Sequence, residues 1–149
     1  MIYKEEIRDL FTCPPDYYLA HCISADFALG AGIAVEFNRR FNMRNHLNES
    51  YPGYRAWFHK NYILGDCILL GPVLNLVTKE RYFHKPTLKS MAHALMAMKR
   101  ICIEKSIHKI AMPMIGAGLD RLLWIDVSSL IQTVFGDLQD MEICVCRKF

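Results

Sequence analysis

Apolar residues fall along this chain in short runs separated by longer, helically spaced stretches. Ile2–Ile7 reads as a short strand ending at Arg8-Asp9, and the stretch from Tyr18 to Ile23 is apolar enough for a buried one. Gly30-Ala31-Gly32 interrupts the pattern before a helical segment over Ile33–Phe41. The stretches 66–70 and 74–78 read as two strands rich in Leu, Ile and Val, joined at Gly71-Pro72. The strongest helical signal follows Pro86 and Thr87, which are start residues. Leu88, Met91, Ala92, Leu95, Met98, Ile101 and Cys102 recur at three- to four-residue spacing and define one apolar stripe. Lys109–Met112 is a buried strand stopped by Pro113. A second amphipathic helix over 124–135 puts Val127, Leu130, Ile131, Val134 and Phe135 on one face, and 142–146 forms a last strand. Residues 42–62 are polar and aromatic, and only the turn at Tyr51-Pro52-Gly53 is legible there.

Strands alternating with helices predict an α/β fold, with helices covering both faces of a largely parallel sheet. The 149 residues fit one domain, 1–149, with no repeat or linker dividing it. A composition of 52% hydrophobic and 22% charged residues excludes a disordered or low-complexity chain. The net charge of +3 is spread out, so no direct nucleic-acid partner is expected. Its local groups, Arg39, Arg40 and Arg44, then Lys79, Arg81 and Lys85, suit a small anion instead.

The N-terminal residues are acidic where a signal peptide is apolar, and the longest apolar stretch, Cys67 to Val77, is broken by Gly71, Pro72 and Asn75. No membrane partner is expected. The six cysteines are irregularly spaced and mostly lie in apolar runs, which points to free thiols in a reducing compartment. The expected setting is nucleus and/or cytoplasm, and the expected state a monomer.

Two glycine-bearing loops hold the candidate chemistry. One runs from Ser24 through Gly30, Ala31, Gly32 and Ile33. The other runs through Pro113, Met114, Ile115, Gly116, Ala117, Gly118 and Leu119 to Asp120 and Arg121. Each follows a predicted strand and precedes a helix, so each offers backbone N–H groups and a helix N-terminus to an anion. Two such loops describe a diphosphate held between two walls. Neither is followed by Lys-Ser/Thr, and neither has the third glycine of the dinucleotide fingerprint.

These loops, with Asp9-Leu10-Phe11 upstream and Leu76-Val77-Thr78-Lys79 between them, resemble the macrodomain family. His21-Cys-Ile-Ser24, Gly30-Ala-Gly-Ile-Ala34, His84-Lys-Pro86 and Ile115-Gly-x-Gly-Leu-Asp-Arg121 with Trp124 are similar to its terminal ADP-ribose protein glycohydrolases, over nearly the whole chain. The resemblance implies a three-layer α/β/α sandwich with a mixed sheet, binding ADP-ribose at the strand ends. It implies that Asp9 contacts the adenine amino group, that Leu10 makes a backbone contact to the base, and that the two glycine loops, with Ser24 and Thr78, line the ligand. It implies Lys79 as nucleophile and Asp120 as its partner. The chain departs from the family pattern with Arg8 where Gly is common, Met114 where Arg is common, and a longer 42–62 segment.

Each of these residues has a plainer role when taken alone: Lys79 a solvated lysine past a strand, Asp120 a carboxylate at a helix start, Asp9 a turn residue. His21 reads as a core histidine, Trp124 as packing, and Cys22 and Cys67 as core. His46, His59, His93 and His108 share no metal-ligand spacing, so no metal and no cofactor is expected.

The reaction that the resemblance implies is hydrolysis of the ester joining ADP-ribose to glutamate or aspartate side chains of ADP-ribosylated proteins, through a lysyl–ADP-ribose intermediate, with O-acetyl-ADP-ribose deacetylation open to the same chemistry. The alternatives are a non-catalytic ADP-ribose reader and an ADP-ribose-1″-phosphate phosphatase. Having both Lys79 and Asp120 favours the enzyme.

Overall fold

A computed structural model describes residues 1–148 of the chain. Six strands, β1 (Ile2–Ile7), β2 (Tyr18–Ser24), β3 (Asp66–Leu70), β4 (Val73–Lys79), β5 (Lys109–Met112) and β6 (Glu142–Arg147), form one sheet in the order β1-β6-β5-β2-β4-β3. All neighbours are parallel except the edge strand β3, which turns back on β4 through Gly71-Pro72. The sheet is therefore mixed, as expected.

One face is covered by α4 (Leu88–Lys105) and α5 (Trp124–Phe135). Met91, Leu95 and Met98 of α4 and Val127, Ile131 and Phe135 of α5 pack on Leu74, Leu76, Ile110 and Ile143. The other face is covered by α1 (Ile33–Phe41), α2 (Met43–Ser50) and α3 (Tyr54–Lys60). Their Phe37, Met43, Leu47 and Phe58 lie over Ile23, Ile68, Val73 and Val77. Alternating strand residues thus feed two cores, and the layers are α/β/α.

Helix α4 starts where Pro86-Thr87 marks it. The Thr87 hydroxyl accepts from the Ser90 amide at 3.0 Å and Ser90 Oγ accepts from the Thr87 amide at 2.9 Å, a reciprocal cap. In segment 42–62 the structure adds what the pattern left blank, the two short helices α2 and α3. Each has too few turns for a legible stripe, but Met43/Leu47 and Tyr54/Phe58 are buried at i, i+4 spacing. Asn42 and Gly53, both left-handed, separate the pieces, and Tyr51-Pro52-Gly53 is the turn expected. Strands β2, β4 and β6 each run one residue or so past the expected ends, to Ser24, Lys79 and Arg147.

The parallel arrangement puts the carboxyl ends of β1, β2, β4, β5 and β6 at one edge of the sheet. Asp9, both glycine loops and Lys79 therefore converge there.

Candidate functional site

A cleft of about 780 Å³ opens at that edge. Its walls are the turn after β1 (Arg8 to Phe11), the first glycine loop and α1 (Gly32, Ile33, Glu36, Arg39, Arg40), the second glycine loop (Pro113, Met114, Ala117, Gly118) and the end of β6 (Cys146, Arg147, Lys148). Five cations against Asp9 and Glu36 leave this wall positive, which suits an anionic ligand. Glu36 is engaged by Arg39 at 2.8 Å and Arg40 at 3.1 Å, and these guanidinium groups hold its carboxyl down at about 2.

Asp9 caps a 3-10 turn, Leu10–Thr12, and its Oδ1 accepts from the Phe11 amide at 3.0 Å. Its second oxygen carries no bond among the described residues and is open to a donor from a ligand. Leu10 is buried beneath. The Phe11 ring meets the Phe37 ring edge-on at 5.1 Å and carries the Arg40 guanidinium at 4.2 Å.

The glycine loops are shaped for close approach. Gly32 has φ 61, and a Cβ there would meet Leu119 Cδ1 at 3.6 Å, so the side chain of Leu119 in the second loop lies beside the first. Gly116 has φ 75, and a Cβ there would come within 2.9 Å of Met91 Cε and 3.0 Å of Leu122 Cδ1. Both the backbone conformation and α4 exclude a side chain. Ile115 is buried below, whereas Gly30, Ala31, Gly118 and Leu119 are exposed.

Lys79 Nζ donates to Asp120 Oδ1 at 2.8 Å, and their side chains are only 15% and 16% exposed. Lys79 ends β4 and Asp120 leaves the β5–α5 loop, 41 positions later. A bulge aims the lysine. Ile23 pairs with Val77 but Ser24 pairs with Lys79, so Thr78 is the extra residue. Thr78 is 1% exposed and its Oγ1 has no protein partner, a buried hydroxyl beside the ion pair.

Of the residues singled out in the sequence, the structure puts Asp9, Leu10, Gly32, Ile33, Pro113, Met114, Ala117 and Gly118 on the cleft wall. Ser24, Thr78, Lys79 and Asp120 come together outside that wall, Ser24 paired with Lys79 across β2–β4 and Lys79 bonded to Asp120, and Gly30, Ala31, Ile115, Gly116 and Leu119 are likewise not wall residues. One neighbour was missed: Asp26 accepts from Ser24 Oγ at 2.5 Å. Lys85 and Arg44, read as parts of anion-suited basic groups, bond backbone carbonyls instead. Lys85 Nζ donates to the Leu119 carbonyl at 2.8 Å, next to Asp120. Arg44 holds the Ala28 carbonyl through Nε at 3.0 Å. Cys22 is core as read, and burial together with the nearby Asp120 carboxylate pushes its thiol well up.

His84 is exposed, with Nδ1 accepting from the Arg81 amide at 3.3 Å. His21 is core as read, fully buried, stacked on Phe37 at 3.8 Å and bonded through Nε2 to Asn75 Oδ1 at 2.6 Å. Trp124 packs against the sheet–α4 core and donates through Nε1 to Glu5 at 3.1 Å. Among the described residues no three His, Cys, Asp or Glu are placed to hold a metal ion, and no helix is long and apolar enough to cross a membrane.

A mixed six-stranded sheet between two helical layers, with glycine loops meeting over an anion-receptive cleft, has the architecture of a macrodomain. The chain belongs to the macrodomain family. It is similar to the ADP-ribose glycohydrolase OARD1 of Homo sapiens, with 38% identity over 141 residues that cover 92% of this chain and 86% of that protein. No family model matches it. In fold it is similar to the macrodomain of Mycobacterium tuberculosis DarG (TM-score 0.78, 22% identity, 98% of this chain and 97% of that one). The same holds for Thermosipho africanus DarTG, solved in complex with ADP-ribose (TM-score 0.62, 15% identity, 89% of this chain and 38% of that one).

Proposed function

We propose that this macrodomain hydrolyses the ester between ADP-ribose and glutamate or aspartate side chains of proteins, with Lys79 as nucleophile and Asp120 as its proton partner. The observation that carries this reading is the 2.8 Å Lys79–Asp120 pair, mostly buried, between the end of β4 and the second glycine loop, whose Pro113, Met114, Ala117 and Gly118 line a positive cleft. A module that only reads ADP-ribose needs neither residue. A mostly buried ion pair is moreover weak evidence of a stabilising role, because desolvating both charges offsets much of their attraction.

The adenine binds beside Asp9 and Leu10, with the free Asp9 oxygen accepting from the base. The diphosphate lies along the backbone amides of the two glycine loops, and the distal ribose reaches Lys79. Asp120 takes a proton from the lysine. Nζ then bonds to C1″, the C1″–O bond breaks, and the carboxylate leaves with the electron pair. Asp120 releases its proton to solvent and, again a carboxylate, takes one from a water whose oxygen bonds to C1″. The Nζ–C1″ bond breaks with its electron pair going to Nζ, Asp120 returns the proton to Nζ, and free ADP-ribose is released.

The same attack accounts for an ester of a small acid at C1″, such as ADP-ribose acetylated on the C1″ oxygen. The test is incubation of the chain with glutamate-ADP-ribosylated protein, watching for free ADP-ribose. Release by the wild type and its loss in Lys79→Ala support the reading, and release unaffected by that substitution removes Lys79 from the chemistry.

A further inference from the structure

The first glycine loop holds two bulky residues in the left-handed region, Phe27 (φ 55) and Leu29 (φ 45). Such conformations are disfavoured for L-residues and persist where neighbours over-determine them. The residue that does so is Asp26, which the mechanism does not use. Its Oδ1 accepts from Ser24 Oγ at 2.5 Å and from the Ala28 amide at 3.2 Å, closing a local turn. Its Oδ2 reaches 56 positions along the chain to the Tyr82 amide at 2.9 Å.

The backbone continues the clamp. The Ala25 amide donates to the Lys79 carbonyl at 2.9 Å, and the Asp26 amide to the Glu80 carbonyl at 3.1 Å. These bonds begin where the bulge at Thr78 ends β4, so the chain on both sides of Lys79 is tied to the loop that faces the diphosphate. A local turn needs only Oδ1. The second oxygen has no turn to serve and holds only the loop after the nucleophile.

We propose that Asp26 is a positioning residue for Lys79: its carboxylate couples the first glycine loop to the loop after β4 and so sets the angle at which the lysine meets the distal ribose. This inference rests on the reaction assigned above.

Two substitutions cut the coupling from opposite sides. In Asp26→Asn one oxygen remains, enough for the turn or for Tyr82 but not both. Tyr82→Pro removes the donor. The His84 amide bonds the Arg81 carbonyl at 3.0 Å, so Tyr82 occupies the second position of a turn, where proline's φ fits. The experiment measures kcat and KM on glutamate-ADP-ribosylated protein, the Kd for ADP-ribose, and amide hydrogen exchange over residues 79–84 without substrate.

Both variants are expected to lower kcat by about 10- to 100-fold, to leave KM and the ADP-ribose Kd near wild type, and to lose protection at 79–84 while β5 and β6 keep theirs. Wild-type kcat in both variants overturns the proposal, as does unchanged exchange. A parallel loss of kcat, ligand affinity and protection throughout the sheet also overturns it, because that is a fold defect. A wild-type chain with no turnover overturns the reaction assignment instead. That result is separable, because exchange at 79–84 is read without catalysis.

Discussion

At the scale of single residues, the Lys79–Asp120 contact decides most. Lys79→Ala should abolish turnover while the ADP-ribose Kd, measured by calorimetry, stays close to wild type, because the proposed pose holds the phosphates by backbone amides and not by Lys79. Asp9→Ala should do the reverse. It should weaken ADP-ribose binding by roughly 1.5–3 kcal/mol, the cost of removing one partner of a charged hydrogen bond, and calorimetry would again read it. A Kd that does not move would take Asp9 out of the base site.

His21 makes a different prediction, one about stability. Its burial lowers the imidazole from 6.5 to about 4, against a smaller opposing effect of the Asn75 bond. Nδ1 has no partner, as expected of a neutral ring that donates through Nε2. Between these two values the unfolded chain binds a proton that the folded chain refuses. Stability from this group is thus present above pH 6.5 and lost as the pH falls towards 4, by about 3 kcal/mol. Melting temperatures between pH 7 and 4 should show the drop, and His21→Gln should flatten that part of the profile.

At the scale of elements, the second glycine loop packs closely on α4 at one point, Gly116. Gly116→Ala must place a methyl group 2.9 Å from Met91 Cε at φ 75. Overpacking and backbone strain together should cost roughly 1–3 kcal/mol, read as a lower denaturant midpoint with unchanged slope. Methionine can bend aside, so a cost below that range would mean α4 yields there.

The elements were not equally legible in the sequence. α4 and α5 have three or more turns each and could be read from spacing alone. Helices α2 and α3 span eight and seven residues, too short for a stripe, and their polar faces hid the buried Met43, Leu47, Tyr54 and Phe58. Lys79, Asp120 and Asp9 came from motif resemblance, since each alone is an ordinary surface residue type. Asp26 went unread, and Arg44 and Lys85 were read only as members of basic groups, because their roles consist of bonds to backbone atoms of distant loops. No spacing pattern encodes such bonds.

At the scale of the whole molecule, five parallel strand ends bring the turn after β1, two glycine loops and a bulged lysine to one edge of the sheet. Arg8, Arg39, Arg40, Arg147 and Lys148 line the cleft, whereas Lys79 and Asp120 pair outside its lining. In the proposed reading binding and chemistry use different residues, which is why substitutions at Asp9 and at Lys79 should separate Kd from kcat.

The two-step reaction adds one feature that neither a reader nor a water-attack hydrolase shares, a covalent bond from Lys79 to the sugar. Intact mass spectrometry of Asp120→Ala after incubation with glutamate-ADP-ribosylated protein tests it most directly. Solvent can take the lysine proton in this variant, but the water of the second step has lost its base. Resolution should therefore slow more than attack, and the chain should gain the mass of one ADP-ribosyl group, mapped to Lys79 and absent when Lys79→Ala is added. An Asp120→Ala chain that still releases ADP-ribose at wild-type rate, or a mass increase that survives the loss of Lys79, would contradict the lysyl intermediate.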